Sequence, residues 1–260
     1  MTTRARRSIE WLKRNLPVVA LFGACAAIWF AVKALFSIPD YVLPAPAEVL
    51  RLTFSSEIPW ASHIWITAWE VILGFGISAV VGVLLGSFIA SSRIAARTLL
   101  PFLVFINTLP KVAVAPLILL WFGYGLMPNA LIAASIGFFP VVINSAIGLS
   151  RTPEEMIDLG RIFGASSAKM FLALRVPVAL PFIMSSLKIA ASTCVVGVIV
   201  GEFVASQKGL GSVIVNSQTT LNTPVAFAAI IWISVLGLAV YGLVNAMERW
   251  ATPWATEETK

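Results

Sequence analysis

Side chains able to do chemistry are few in this sequence and do not assemble into a reactive constellation. The single histidine, His63, has no partner motif, and Cys25 and Cys194 both fall inside apolar runs, where they read as small buried hydrophobes. There is no G-x-x-x-x-G-K-[ST] loop to cradle nucleotide phosphates, no H-E-x-x-H and no G-x-S-x-G elbow. No Cys/His cluster suggests a metal, and no intramembrane line of carboxylates suggests a proton relay. These patterns point away from an enzyme and toward a conduit; uphill transport would then draw its energy from another chain. Two stretches remain in which residue type and spacing are informative. One is "NTLPKVAVAPL", where Asn107 and Lys111 flank a proline inside an apolar run. The other is "TPEEMIDLGRIFGASSAKMFLALRVP", Thr152 to Pro177, with three acids and three bases between long apolar segments.

The elements that must position them are set by composition. The 260 residues are 59% hydrophobic and 12% charged, with a mean hydropathy of +0.93. A soluble domain carries about a quarter charged residues, so this chain cannot cover a water-facing exterior. Six runs are long enough to cross about 30 Å of hydrocarbon, which takes roughly 20 helical residues. They lie at 18–36, 64–90, 99–122, 127–149, 178–204 and 224–247. The reading is an all-α membrane protein of six transmembrane helices. Residues 1–17 form an N-terminal segment, 18–247 the transmembrane domain with a charged segment at 150–177, and 248–260 a tail. The first run is too long for a signal-peptide core and lacks a small-residue cleavage site, so it reads as a helix that stays.

The net charge is +6. With the N-terminus inside, thirteen bases fall on inner segments (among them Arg4, Arg6, Arg7, Lys13, Arg14, Arg93, Arg97, Arg151 and Arg249). Three fall outside: Lys33, Arg51 and Lys208. Both termini and the charged segment are therefore expected in the cytoplasm. Of the outer loops, "PAPAEVLRLTF" has the pattern of a short surface helix, and Gly209 and Gly211 in "SQKGLGSVI" are expected to supply special backbone angles.

Packing signals lie inside the spans. Gly74, Ser78, Gly82, Gly86 and Ala90 recur every four residues on one face of the second span, and Thr193, Gly197 and Gly201 do so in the fifth. Small side chains let helices approach closely where lipid is as apolar as leucine. In the third span Pro110 and Pro116 each remove a backbone donor, and a broken helix at membrane depth must face protein or a water-filled cavity. Lys111, unless it snorkels to an interface, then marks a pathway with Asn107, Asn144 and Thr193 as further candidates. Glu70 and Glu202 fall near outer ends and are expected to reach headgroups, and Lys188 to snorkel inward. Asn144, Ser192 and Thr193 have the alternative of hydrogen-bonding between helices.

Within the charged segment, Thr152 with Glu155 fits a capping box, Pro153 suits the first helical position, and Glu154 and Glu155 suit the helix dipole. A helix to Phe163, ended by Gly164, precedes a second capped by Ser166 or Ser167 and running to Arg175. Pro177 then opens the fifth span. Met156, Ile157, Leu159, Ile162 and Phe163 form an apolar set that either meets a partner or folds onto the protein's own helices; the residues do not choose between these.

This segment resembles the coupling motif of membrane subunits of bacterial ABC importers, which reads E-A-A, three residues, G, nine residues, then I-x-L-P. Here the positions hold Asp158-Leu159-Gly160, Gly164, and Leu174-Arg175-Val176-Pro177. The spacing matches; Asp replaces Glu, Leu and Gly replace the alanines, and Leu and Val replace Ile and Leu. "LPAPAEVL", "LPKVAVAPLILLWFGYG", "GASSAKMFLALRVPVALP" and "GEFVASQKGLG" extend the resemblance over most of the chain, to the branch importing nitrate, sulfonates, taurine and pyrimidine-type thiamine precursors. The resemblance implies a type I importer permease of the bacterial inner membrane, working as a homodimer. It also implies two cytoplasmic ATPase subunits, which use ATP and Mg while this chain binds no cofactor, and a periplasmic binding protein that delivers the solute. The coupling residues it implies are Glu154, Glu155, Asp158, Leu159, Gly160, Phe163, Gly164, Ala165, Ser166 and Pro177. A stand-alone secondary transporter or channel, and a membrane-embedded enzyme, are the competing classes. The first should show an ion-coupling site or inverted repeats, the second a catalytic constellation, and neither is visible.

Overall fold

The structure, a computed structural model, describes the backbone of residues 3–256 and the side chains of 16–204 and 206–254. The N-terminal bases Arg4, Arg6, Arg7, Lys13 and Arg14 and the tail residue Lys260 lie outside the described side chains. Among the described residues the fold is helical, with no strand. Helix α1 spans Thr3–Phe36, α2 Pro46–Thr53, α3 Trp60–Ser91, α4 Arg93–Thr108, α5 Lys111–Phe122 and α6 Leu126–Ser150. Then follow α7 Glu154–Ile162, α8 Ser167–Met170, α9 Val176–Ala205, α10 Leu210–Thr219 and α11 Thr223–Ala251. Five helices, α8 and α9 counted as one, are long and apolar enough to cross a membrane; α4 and α5 taken together make a sixth.

The expected third span, 99–122, is therefore corrected. Its helix begins at Arg93, and it is two helices meeting at 93° across Leu109–Pro110. Pro110 has no N–H to continue α4 and disfavours helical geometry at Leu109, whose ψ of 133° is extended. Pro101 and Pro116, by contrast, sit inside α4 and α5. The second, fourth and sixth spans start or end up to four residues from their expected limits, while the helices of the first and fifth begin well before theirs, at Thr3 and Ser167, since they continue past the apolar runs.

Helices α3, α6 and α9 form the centre. Side chains Val71 of α3, Ala133 of α6 and Cys194, Val195 and Val198 of α9 share one buried cluster. Small residues set how close these helices come. A Cβ added at Gly74 would stand 2.7 Å from Ala133 Cβ, at Gly82 2.6 Å from Val141 Cβ, and at Gly86 2.6 Å from Ser145 Cβ. Ser78, on the same face, directs its hydroxyl to Gly74 O of its own helix (2.8 Å) and to Ala134 O of α6 (3.2 Å), so its one polar group is satisfied at the α3–α6 contact. From α9, a Cβ at Gly197 would fall 2.5 Å from Ala133 Cα, and one at Gly201 2.7 Å from Asn129 Oδ1. Thr193 lies off this packed face, its hydroxyl bonded to Ile189 O of its own helix.

Around the centre, α2, α10 and α11 close one end with a cluster of Leu52, Trp60, Leu210, Ile214 and Ala228. At that end Trp29 of α1 donates to Pro44 O (3.2 Å), and Lys33 reaches Leu43 O and Asp40. The Lys33 ammonium beside it holds the Asp40 carboxyl below the usual carboxylate range. The rest of α1 presents Leu16, Val19, Phe22, Ile28 and Phe30 outward, as a helix bathed in lipid does. At the opposite end lie α7, the α3–α4 junction and the end of α11. Lys188, expected to snorkel inward, pairs with Glu248 near the end of α11 at 2.6 Å, both largely buried.

Candidate functional site

The two ends of the bundle carry different chemistry. At the α7 end, Glu154 and Glu155 occupy the first turn of α7, where their charge meets the positive end of the helix. The capping box does not form. Pro153, extended at ψ 139°, is itself the N-cap, no side chain caps the helix, and the buried Thr152 hydroxyl has no partner. A rigid proline at this position replaces the Ser/Thr geometry that a capping box needs.

The helix ends at Gly164 with φ +70°. Gly164 N–H bonds to Arg161 O (2.9 Å) and Ala165 N–H to Gly160 O (2.9 Å), the paired bonds of a Schellman termination. Ser166 then caps α8, accepting from Lys169 N. The expected second short helix is not separate. A π-turn, Phe171–Arg175, joins α8 to α9, so Ser167 to Val204 is one rod. The wide turn is where the chain accommodates Pro177, which has no N–H to donate.

No residue of α7 is buried. Met156, Leu159, Ile162 and Phe163 are exposed, the last two at 80%. Asp158 pairs with Arg161 (2.9 Å), an exposed i,i+3 contact worth little by itself. Gly160 faces inward: a Cβ there would meet Leu174 Cδ1 and Met170 Cγ at 3.4 Å, ordinary contact. Nothing lies within 4 Å of a Cβ at Gly164, where only the backbone angle objects. Gly160→Ala should therefore stabilise α7 by about 0.5–1 kcal/mol through helix propensity. Gly164→Ala should destabilise it by about 1–2 kcal/mol through left-handed strain. Amide exchange of residues 154–165 checks both signs.

The four pathway candidates are not brought together. Lys111 and Asn107 meet at the α4–α5 bend, the ammonium donating to Asn107 Oδ1 (2.5 Å) and O (3.0 Å). Asn144 donates to Pro140 O (2.9 Å) and Thr193 to Ile189 O, each within its own helix.

A family profile described as "binding-protein-dependent transport system inner membrane component" matches residues 82–253, which includes the whole α7–α9 segment. The chain belongs to this family. It is an ABC importer permease, a transporter subunit with several membrane-crossing helices. A probable ABC transporter permease of Haemophilus influenzae is 34% identical over 88% of this chain and 93% of its own length. The riboflavin transport system permease RibX of Chloroflexus aurantiacus is 32% identical over 96% and 94%. The formylaminopyrimidine transport permease ThiX of Halalkalibacterium halodurans is 30% identical over 97% and 100%. Among solved structures, a chain of the inward-facing MetNI methionine ABC transporter superposes with a TM-score of 0.62 at 17% identity. That match covers 76% of this chain and all of the other, and establishes likeness of fold.

At its other end the permease holds a polar cluster that sequence reading missed. Glu70 and Glu202, expected at headgroups, are 2% and 1% exposed. The first N–H groups of α10 are each met by a side chain from another helix. Gly209 N–H reaches His63 Nδ1 (3.1 Å), Leu210 N–H reaches Thr67 Oγ1 (2.9 Å), and Gly211 N–H reaches Glu202 Oε2 (2.5 Å). Thr67 also donates to Glu202 Oε1 at 2.7 Å. A helix start leaves several orphan donors, and here α3 and α9 supply the acceptors. A Cβ at Gly209 would stand 2.0 Å from Glu202 Oε1, and one at Gly211 2.8 Å from Glu202 Cβ. Gly209, at φ +108°, does adopt a special angle; Gly211 does not, and is small because the glutamate passes beside it. That explains the glycines of "GEFVASQKGLG" in this chain. Asn129 of α6 completes the cluster, donating to Glu70 Oε1 (2.9 Å) and Ser206 Oγ (2.9 Å). A cavity of about 670 Å³ lined by Glu70, Tyr124, Leu126, Ser206, Gln207 and Lys208 lies beside it.

Proposed function

We propose that this permease works as a homodimer in a bacterial inner membrane, with both termini and α7 on the cytoplasmic side. Each copy docks one ATPase subunit through α7, and a periplasmic binding protein delivers solute to the α10 end. ATP and Mg act in the ATPase subunits. The observation that carries the reading is α7 itself: a well-terminated helix with its apolar side chains unburied, on a rod continuous with a membrane span. An apolar patch rimmed by Glu154, Asp158 and Arg161 in water calls for a protein partner. The basic residues support the same orientation, since Arg93, Arg97, Arg151, Arg161 and Arg249 belong to the α7 end.

For the solute we propose a small heterocycle of the pyrimidine kind. Among the relatives aligned over nearly the whole chain, the riboflavin and formylaminopyrimidine permeases are 32% and 30% identical, and the aliphatic sulfonates permease SsuC of Bacillus subtilis is 29% identical. A small anion such as a sulfonate or nitrate is the second reading, favoured by Lys111 at the α4–α5 bend. Selectivity is assigned mainly to the binding protein. The test is purification of the tagged permease with its partners in mild detergent, then uptake into proteoliposomes. The probes are riboflavin, formylaminopyrimidine and taurine, each with the binding protein added outside. ATP-dependent uptake of one of the heterocycles is expected. Flux at full rate from the permease without any ATPase would sink the importer reading, and uptake of taurine alone would move the solute to the anion class.

A further inference from the structure

Two carboxyls buried side by side pose a chemical problem that the fold must solve. Glu70 and Glu202 are 2% and 1% exposed; Thr67, one turn before Glu70 on α3, donates to Glu202, and Asn129, which donates to Glu70, lies against Gly201 next to Glu202 on α9. Among the described residues neither is in an ion pair. The groups facing them are His63 and Thr67 from α3, Asn129 from α6, Ser206 and the exposed Lys208 from the turn, and the N–H groups of α10. Two ionised carboxylates cannot share such a site; one proton or one cation must stand between them. The remaining hydrogen bonds say where it sits. Both oxygens of Glu202 already accept, from Thr67 and from Gly211 N–H, and the second bond places negative charge at the start of α10. Glu70 uses Oε1 to accept from Asn129, while its Oε2 is buried and receives no donor.

We propose that Glu202 is the anion that caps α10 and that Glu70 is a neutral carboxylic acid whose Oε2–H donates to Glu202, so that a single proton latches α10 to α3 and α9 beside the cavity. Both are positioning residues: they hold α10 and the 206–209 turn. Glutamine fits the role assigned to Glu70, with its carbonyl accepting from Asn129 and its N–H donating to Glu202. Leucine has similar bulk and no donor. Glutamine fits Glu202 poorly, because it forfeits the charge and sets an N–H where an acceptor is needed.

The test reads the latch directly. Ser212 of α10 is 2% exposed, and Ser212→Cys in a Cys25→Ala background gives a reporter thiol, the other cysteine, Cys194, being fully buried. The full-length permease in native membranes is labelled with a membrane-impermeant maleimide added at the α10 face. Glu70→Gln should label within two-fold of its parent, while Glu70→Leu and Glu202→Gln label at least ten-fold faster. Fast labelling of Glu70→Gln would overturn the proposal by itself, even were Glu70→Leu too unstable to purify. So would slow labelling of Glu70→Leu, or Glu202→Gln as well protected as Glu70→Gln. A parent rate that changes when sodium is exchanged for choline, or when calcium is chelated, would put a metal cation where the proton is assigned and overturn it as well.

Discussion

Phe163→Gln, introduced into the intact permease, is expected to leave folding unchanged and to cut ATPase retention and ATP-driven uptake at least ten-fold. The two halves of this expectation rest on separate observations. Phe163 is 80% exposed at the C-cap of α7, and no residue of that helix is buried. Exposed substitutions away from special backbone angles shift stability by about 0.5 kcal/mol or less. Binding energy, in contrast, is concentrated in a few large side chains that become desolvated at the centre of an interface, each worth roughly 2 kcal/mol or more, which is about 30-fold in affinity. Ile162 and Phe163 are the two most exposed apolar residues of α7, and the Schellman turn at Gly164 fixes the direction in which they project. Melting temperature and co-purification of the ATPase, measured on one preparation, separate the halves. Normal melting with full ATPase retention would remove α7 as the docking element.

Much of this end of the molecule was legible because its determinants are local. Glu154 and Glu155 at a helix start, Gly164 at its end and Ser166 before the next helix each act through hydrogen bonds spanning a few residues, so a linear reading finds them. The capping box failed for an equally local reason: Pro153 took the cap position that Thr152 was expected to hold. The even choice between exposed and self-packed α7 could not be resolved from its sequence, because burial depends on where other parts of the chain, such as Met170 and Leu174 beside Gly160, come to lie.

The opposite end was illegible because its partners are far apart in the chain. Glu202 meets Thr67 across 135 positions, and His63 meets Gly209 across 146. In a span that is apolar on every side, periodicity does not distinguish a glutamate turned to headgroups from one turned into the bundle, so both acids were placed at the surface. The trace left in the chain is the pair of glycines that follows Glu202 within nine residues; that Gly211 needs no unusual angle is visible only in the fold. A glycine without a backbone reason is evidence that another group passes close by. The same logic applies to the third span, where Pro110 and Pro116 look alike in sequence. Only the residue before Pro110 is extended, and there the helix breaks by 93°, whereas Pro116 lies inside α5.

Gly197→Ala is expected to cost about 2–3 kcal/mol, whereas Gly76→Ala should be neutral or slightly stabilising. Both glycines lie in the middle of long helices, and helix propensity favours alanine at each. They differ in what the methyl meets. Nothing lies within 4 Å of a Cβ at Gly76, while one at Gly197 would stand 2.5 Å from Ala133 Cα and 3.2 Å from Ala133 N. Those are backbone atoms of α6, so no rotamer change relieves the contact and α9 must move away from α6. Ala133 also faces Gly74 of α3, where a Cβ would stand 2.7 Å from its own, so one displacement disturbs the contact of all three central helices. Shifting a helix here also loosens Gly201 against Asn129, and with it the polar cluster at the α10 end. Thermal denaturation in detergent, followed by size exclusion, gives the ordering. The double variant Gly197→Ala/Ala133→Gly sharpens it: if the clash were with the alanine methyl, the pair would be rescued. Because the nearest atoms are backbone, the double variant should melt no higher than Gly197→Ala alone. Recovery of the parent melting temperature would show that side-chain volume, rather than backbone approach, sets the distance between α6 and α9.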